Sequence, residues 1–152
     1  MVNGEICAFD YGRSVIQRKF LIWRILTPNL FTMFLNLSHH KLDVYQFSEN
    51  ITLECYRVTR LFPADEKYSM VQQIRRAATS VFLNLNEGCS RKSQNERNRF
   101  FEIARGSLIE VDSAIGIACK LNFVNEDEIR QLGSLLLSTF KLFTKLIQSN
   151  EK

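Results

Sequence analysis

From residue 41 onward, apolar positions recur at alternating steps of three and four, the signature of helices buried along one stripe. Val44, Phe47, Ile51, Cys55, Val58 and Phe62 mark a first helix. It is predicted to stop near 61–62, because Pro63 pushes the residue before it out of the α region. Val71, Ile74, Ala78, Val81 and Leu85 mark a second, expected to open near 64–65 with Asp65 and Glu66 in its first turn. Gly88 stands where a left-handed residue would end it. A third helix opens on Ser93-Gln94-Asn95-Glu96, the pattern of a capping box, and carries Phe101, Ala104, Leu108, Val111, Ile115 and Ala118. The fourth opens on Asn125 followed by Glu126, Asp127 and Glu128, then runs on Ile129, Leu132, Leu136, Thr139, Phe143 and Leu146. No segment alternates with the period of two that a half-buried strand requires. Connections near 62–64, 89–92 and 122–124 are short, and short links between long helices force antiparallel neighbours. The pattern predicts an all-α fold, an up-down-up-down antiparallel four-helix bundle over 39–149, with an N-terminal segment, 1–38, outside it.

Leu53, Phe82, Phe100, Ile103, Ile109, Leu135, Leu137, Leu142 and Ile147 lie beyond those stripes. A second apolar face on several helices points to self-association, a wide core stripe being the other reading.

The N-terminal segment does not share the pattern. Residues 20–37 are apolar, but Arg24, Pro28 and Asn29 interrupt them. A membrane span wants about 20 mostly apolar residues without a central charge, and proline breaks a helix. No small-x-small cleavage site of a secretory signal precedes Ser38. The readings preferred over a membrane or export segment are an added helix or arm, and a mis-called start with translation beginning at Met33.

The most specific stretch is Gln73-Ile74-Arg75-Arg76-Ala77-Ala78-Thr79-Ser80-Val81 and Asn84-Leu85-Asn86-Glu87-Gly88, continuing through Arg91 and Ser93 to Phe100, Phe101, Ala104 and Gly106-Ser107-Leu108-Ile109-Glu110. With the opening His40-Lys41-Leu42-Asp43-Val44-Tyr45-Gln46 and with Phe62-Pro63, it resembles the four-helix-bundle proteins of the 23S rRNA intervening-sequence family over about 39–148. Asn86 stands where that family has a small alanine, Val111-Asp112 where it has Leu-Glu, and Leu121-Asn122-Phe123 where it has Leu-Gly-Tyr. Asn122 can itself adopt the left-handed conformation, so the third turn is expected to survive without glycine. The resemblance implies a bacterial, cytoplasmic homopentamer linked to ribosomal RNA genes or, in related bundles, to a reverse transcriptase.

Taken as antiparallel helices hinged near Arg91, the second and third segments put Ala78 opposite Ala104 and Arg76 opposite Gly106, small residues that permit close approach. Arg75 and Arg76 then come within about one turn of Ser107 and Glu110. Arg76 and Glu87 share a helix side but are about 16 Å apart, too far to pair within it. Arg75, Arg76, Glu87 and Glu110 are therefore expected to form a buried or interfacial ion network that specifies register and assembly, with direct nucleic-acid contact by the arginines as the alternative.

Charge adds a weaker clue. The excess over the whole chain is only +4. It concentrates between 75 and 105, where Arg75, Arg76, Arg91, Lys92, Arg97, Arg99 and Arg105 face only Glu87, Glu96 and Glu102. Arg91, Lys92, Arg97 and Arg99 surround one turn and are the candidate nucleic-acid-binding residues. Multiplied around a ring, such a patch binds phosphate backbones without reading sequence. A solvated turn is the plainer reading.

Composition excludes more than it suggests. With 45% apolar residues, 24% charged, six Gly and two Pro, the chain is neither disordered nor turn-rich. No phosphate loop, no H-E-x-x-H and no Glu-x-x-His pair is present. Cys55, Cys89 and Cys119 read as small hydrophobes, and His39 and His40 lack a spaced third metal ligand and read as incidental. Ser80 and Ser107 have no histidine to activate them. The expectation is a non-enzymatic protein with no catalytic residues, metal or cofactor, which associates with itself and binds RNA or DNA. The alternative is a protein-interaction scaffold, or a reverse-transcriptase accessory protein, whose basic turn is incidental.

Overall fold

The computed structural model describes residue 35 and residues 37–149. A boundary between Asn36 and Leu37 separates the helical unit from what precedes it. The expectations for residues 20–34, Met33 included, fall outside the described residues.

Four helices account for most of the described residues: α1, Asp43–Val58; α2, Met70–Ser90; α3, Gln94–Lys120; and α4, Glu126–Ser149. Short 3-10 turns cover Ser38–Lys41 and Ala64–Tyr68, and no strand occurs among the described residues. α1 packs on α2, α2 on α3, α3 on α4 and α4 back on α1, which closes the up-down-up-down circuit of the expected bundle. Ile51, Cys55, Val58, Ile74, Val81, Leu85, Phe101, Leu108, Val111, Leu132 and Phe143 fill its centre. Each large apolar side chain buried there contributes about 1.5–3 kcal/mol. Phe47, Ile129 and Leu146 stay half-buried, and Ile147, expected outside the stripe, is buried instead of Leu146.

Buried hydroxyls are satisfied along their own helices. Ser48 donates to the Val44 carbonyl at 2.7 Å, and Thr139 to that of Leu135 at 2.7 Å. Two hydroxyl contacts from within helices cross to a neighbour: Thr52 donates to the Ala78 carbonyl at 3.1 Å, and the Ser80 and Ser107 hydroxyls meet at 2.9 Å. Small side chains at both crossings let the backbones approach.

Helix ends depart from expectation in three places. α1 stops at Val58, not at 61–62. Thr59 still donates its N–H to the Cys55 carbonyl at 3.0 Å, but the Arg60 and Leu61 amides tighten onto the Arg57 and Val58 carbonyls at 3.2 and 3.0 Å. The chain therefore leaves the helix four residues ahead of Phe62, and the Thr59 hydroxyl accepts the Arg75 Nε–H at 2.8 Å. α2 opens at Met70, because 64–68 winds as a 3-10 turn and the Glu66 carboxylate accepts the Met70 N–H at 3.3 Å. Gly88 is not a left-handed terminator. It lies inside α2, and an added Cβ would stand 2.5 and 2.7 Å from the Phe101 ring and 3.2 Å from the Arg97 carbonyl. The glycine is needed for close approach of α3. Gly106, expected at such an approach, has nothing within 4 Å of an added Cβ.

The third turn is as expected. Asn122 is left-handed, with φ 59°, and the Asn122 and Phe123 amides donate to the Cys119 and Ala118 carbonyls, both at 3.0 Å. That is a complete Schellman closure, with Phe123 packed against the core.

Candidate nucleic-acid interface

The antiparallel circuit sorts the charges onto two ends. At one end lie the start of α1, the α2–α3 turn and the last turns of α4. They bring Lys41, Arg91, Lys92, Arg97, Arg99 and Lys145 together with Asp43, Glu87 and Glu96. At the other end lie the close of α1, the 64–68 turn, the close of α3 and the start of α4. That end carries Arg57, Arg60, Lys67, Arg75, Lys120 and Arg130 against Glu54, Asp65, Glu66, Glu126, Asp127 and Glu128. The first end is cationic, the second balanced.

At the cationic end the four predicted residues differ in freedom. Arg91 pairs with Glu87 and lies over the Phe100 ring at 5.1 Å, which removes part of its charge from solvent. Arg97 is half-buried, its Nε buried without a hydrogen-bond partner. Burial pushes the neighbouring Cys89 thiol up, and the Arg97 charge opposes that shift. Lys92 and Arg99 are exposed, and no described residue pairs with either. Ser93 occupies the N-cap of α3 but makes no capping hydrogen bond, so the expected capping box is not formed there.

Next to the turn, His39 and His40 prove to be structural, not incidental. Their rings stack edge-on at 4.9 Å and pack on Tyr45 at 6.0 and 4.7 Å. The His39 Nε2 bonds Asn86 Oδ1 at 2.9 Å, while Asn86 Nδ2 donates to the Phe82 carbonyl at 2.7 Å. Asn86, a departure from the family pattern in sequence, therefore pins the 3-10 turn before α1 to α2.

Within one chain, Arg75, Arg76, Glu87 and Glu110 do not form an ion network. Arg75 turns toward α1, lying 4.7 Å over the Tyr56 ring with its Nε–H on Thr59. Glu110 takes Gln73, and Glu87 takes Arg91. Arg76 is exposed, with no described partner. Matching helix levels predicted the neighbourhood correctly but not which way each long side chain turns.

Sequence reasoning missed a groove between α1 and α2. It has a volume of about 720 Å³ and is lined by Tyr56, Lys67, Tyr68, Arg75, Arg76 and Leu83, among others. Tyr56 lies in α1 outside its apolar stripe, and Tyr68 in the connection before α2, so neither leaves a periodic signal.

Cys55 sits in the core, where burial, with the Glu54 charge as a lesser cause, pushes its thiol up to about 12. That favours the neutral thiol. No helix among the described residues is long and apolar enough to cross a membrane.

The family model for the 23S rRNA-intervening sequence protein matches residues 40–145. The chain belongs to that family. A crystal structure of a protein of unknown function from the S23 ribosomal protein family of Bacteroides thetaiotaomicron is similar in fold, with a TM-score of 0.64. The similarity spans 68% of this chain and 97% of that one at 17% identity, which speaks for the fold alone. No curated protein matches the chain.

Proposed function

We propose that this family member is a non-enzymatic, cytoplasmic protein that associates with itself, five copies being favoured, and binds nucleic acid through the phosphate backbone at its cationic end. The observation that carries this reading is the segregation of charge: the end holding Lys92 and Arg99 offers cations that no carboxylate of the described residues neutralises. Assembly in a ring would repeat that end several times, and a repeated cationic surface binds phosphate with a steep salt dependence. The exposed side chains Leu53, Ile103, Ile109 and Leu137 supply apolar area for self-association.

Gel-shift of rRNA fragments and duplex DNA at two salt concentrations tests the reading. The variant with Arg91, Lys92, Arg97 and Arg99 all changed to Glu should lose binding. Because Arg97 is half-buried, a Lys92→Glu, Arg99→Glu double variant guards against misfolding and should lose most of it. If the variants bind like wild type, the nucleic-acid reading fails. Light scattering is expected to find a closed oligomer, and a monomer at micromolar concentration would contradict self-association.

A second reading, a protein-interaction scaffold or reverse-transcriptase accessory protein, is favoured by a different observation. Between α3 and α4 lies a depression of about 290 Å³, lined by Leu108, Ile109, Asp112, Leu136, Leu137 and Phe140. On that reading, binding of a protein partner would be nearly insensitive to the turn charges.

A further inference from the structure

We infer that the groove between α1 and α2 is a binding site for single-stranded nucleic acid, with Tyr68 stacking an unpaired base and Arg75 and Arg76 holding the backbone phosphates. This deepens the nucleic-acid reading, but it rests on a different surface from the α2–α3 turn. Three cations line the groove, Lys67, Arg75 and Arg76, and no carboxylate does. The turn beside it carries two acids, Asp65 and Glu66, neither of which lines the groove, and Glu66 is engaged in accepting from Ser69 and from the start of α2.

Arg75 is arranged in advance. Its Nε–H is committed to Thr59, and its guanidinium lies over Tyr56, 4.7 Å from the ring centroid. The two terminal nitrogens have no described partner, so they remain for a phosphate, and little side-chain freedom is left to lose on binding. Arg76 follows on the exposed side with no described partner at all. Tyr68 is 75% exposed, with the Lys67 ammonium 5.2 Å from its ring centroid. The ring stands in water beside cations that no carboxylate of the groove neutralises. It suits a ligand that carries both a flat apolar face and negative charge.

Shape selects among such ligands. From Val71 to Asn84 the groove follows fourteen residues of one helix, about 20 Å, longer than a single nucleotide. A cationic channel that tracks a backbone, interleaved with stacking rings, is how single strands are held without reading sequence. Bases in a duplex are already stacked and cannot reach Tyr68.

Fluorescence anisotropy with labelled single-stranded RNA of about 12 nucleotides, and with a duplex of the same length, tests the site. The protein variants are Tyr68→Ala combined with Arg76→Ala, Tyr68→Trp, and Lys92→Glu combined with Arg99→Glu. Tyr68 and Arg76 are exposed, so their substitution should leave the melting temperature unchanged. The groove double variant should lose at least about fivefold in affinity for the single strand, the low end of what one stacked base is worth, and nothing for the duplex. Tyr68→Trp should retain single-strand binding, because stacking needs the ring and not the hydroxyl. Unchanged single-strand affinity in the groove variant would overturn the inference, as would equal loss on both probes. A change in oligomer size instead of affinity would also overturn it, by making the groove an interface between copies. If the turn variant binds both probes like wild type while the groove variant still loses the single strand, the turn reading fails and the groove stands.

Discussion

The two ends of this bundle are built from similar numbers of charged residues and use them differently. At the end where α4 begins, charge is spent on structure. Asn125 Oδ1 accepts the Glu128 N–H at 3.1 Å, and Glu128 accepts the Asn125 N–H at 2.8 Å, a reciprocal cap that places its acids at the positive pole of the helix. Arg57 ties Glu54, at 2.7 Å, to the Glu128 carbonyl. At the end where α3 begins, Ser93 caps nothing, and Lys92 and Arg99 stand in solvent. Charges that close a helix are already occupied. Charges left over beside a turn without a side-chain cap remain available to a partner, and this is what separates the α2–α3 turn from the start of α4.

Substitutions can break or sharpen that contrast. The largest loss is expected at the cationic end, where Gly88→Ala forces a Cβ against the fully buried Phe101 ring. Overpacking there should cost about 2–3 kcal/mol in urea unfolding. Arg57→Ala at the other end comes next. It leaves the buried Glu54 carboxylate without its partner, and a loss of about 1–2 kcal/mol is expected. The paired N-caps give the cleanest comparison. Asn125→Ala should cost about 1 kcal/mol, and Ser93→Ala no more than about 0.3 kcal/mol, because only the first removes a hydrogen bond. If the two cost the same, the contrast between the ends is wrong.

The smallest effect under neutral conditions concerns Cys55, between the ends. Its thiol is pushed up to about 12 from an ordinary 9.0, so the unfolded chain gives up this proton first. Stability from this group is therefore full below about pH 9 and falls as pH rises toward about 12. Replacing Cys55 with Ala should flatten that decline in denaturant titrations, with no change in slope near pH 7.

Most of the fold was legible because the 3-4 stripe is a property of the buried face, and the described core residues follow it from Val44 to Phe143. What the stripe does not encode is where local hydrogen bonds overrule it. After Thr59 the backbone ends α1 early by tightening to bonds three residues back, and Glu66 delays α2 by accepting its first N–H. Gly88 reads in sequence as a left-handed terminator, and only the position of Phe101 shows that it serves a close contact instead. The site was less legible for the same kind of reason. Helix levels place Arg75 near Glu110, but a long side chain turns to whichever partner is better, and Thr59 with Tyr56 won. Tyr68 left no periodic trace, since it belongs to a connection. The basic turn was visible as composition, whereas the opposition between ends required the helix directions.

On the proposed function, the end bearing Lys92 and Arg99 meets phosphate. The most direct test is the salt dependence of binding to a duplex, measured for wild type and for the Lys92→Glu, Arg99→Glu variant. The logarithm of affinity should fall linearly with the logarithm of salt concentration, and the variant's slope should be shallower by about one unit for each phosphate it no longer neutralises. A variant with the wild-type slope and affinity would contradict the account.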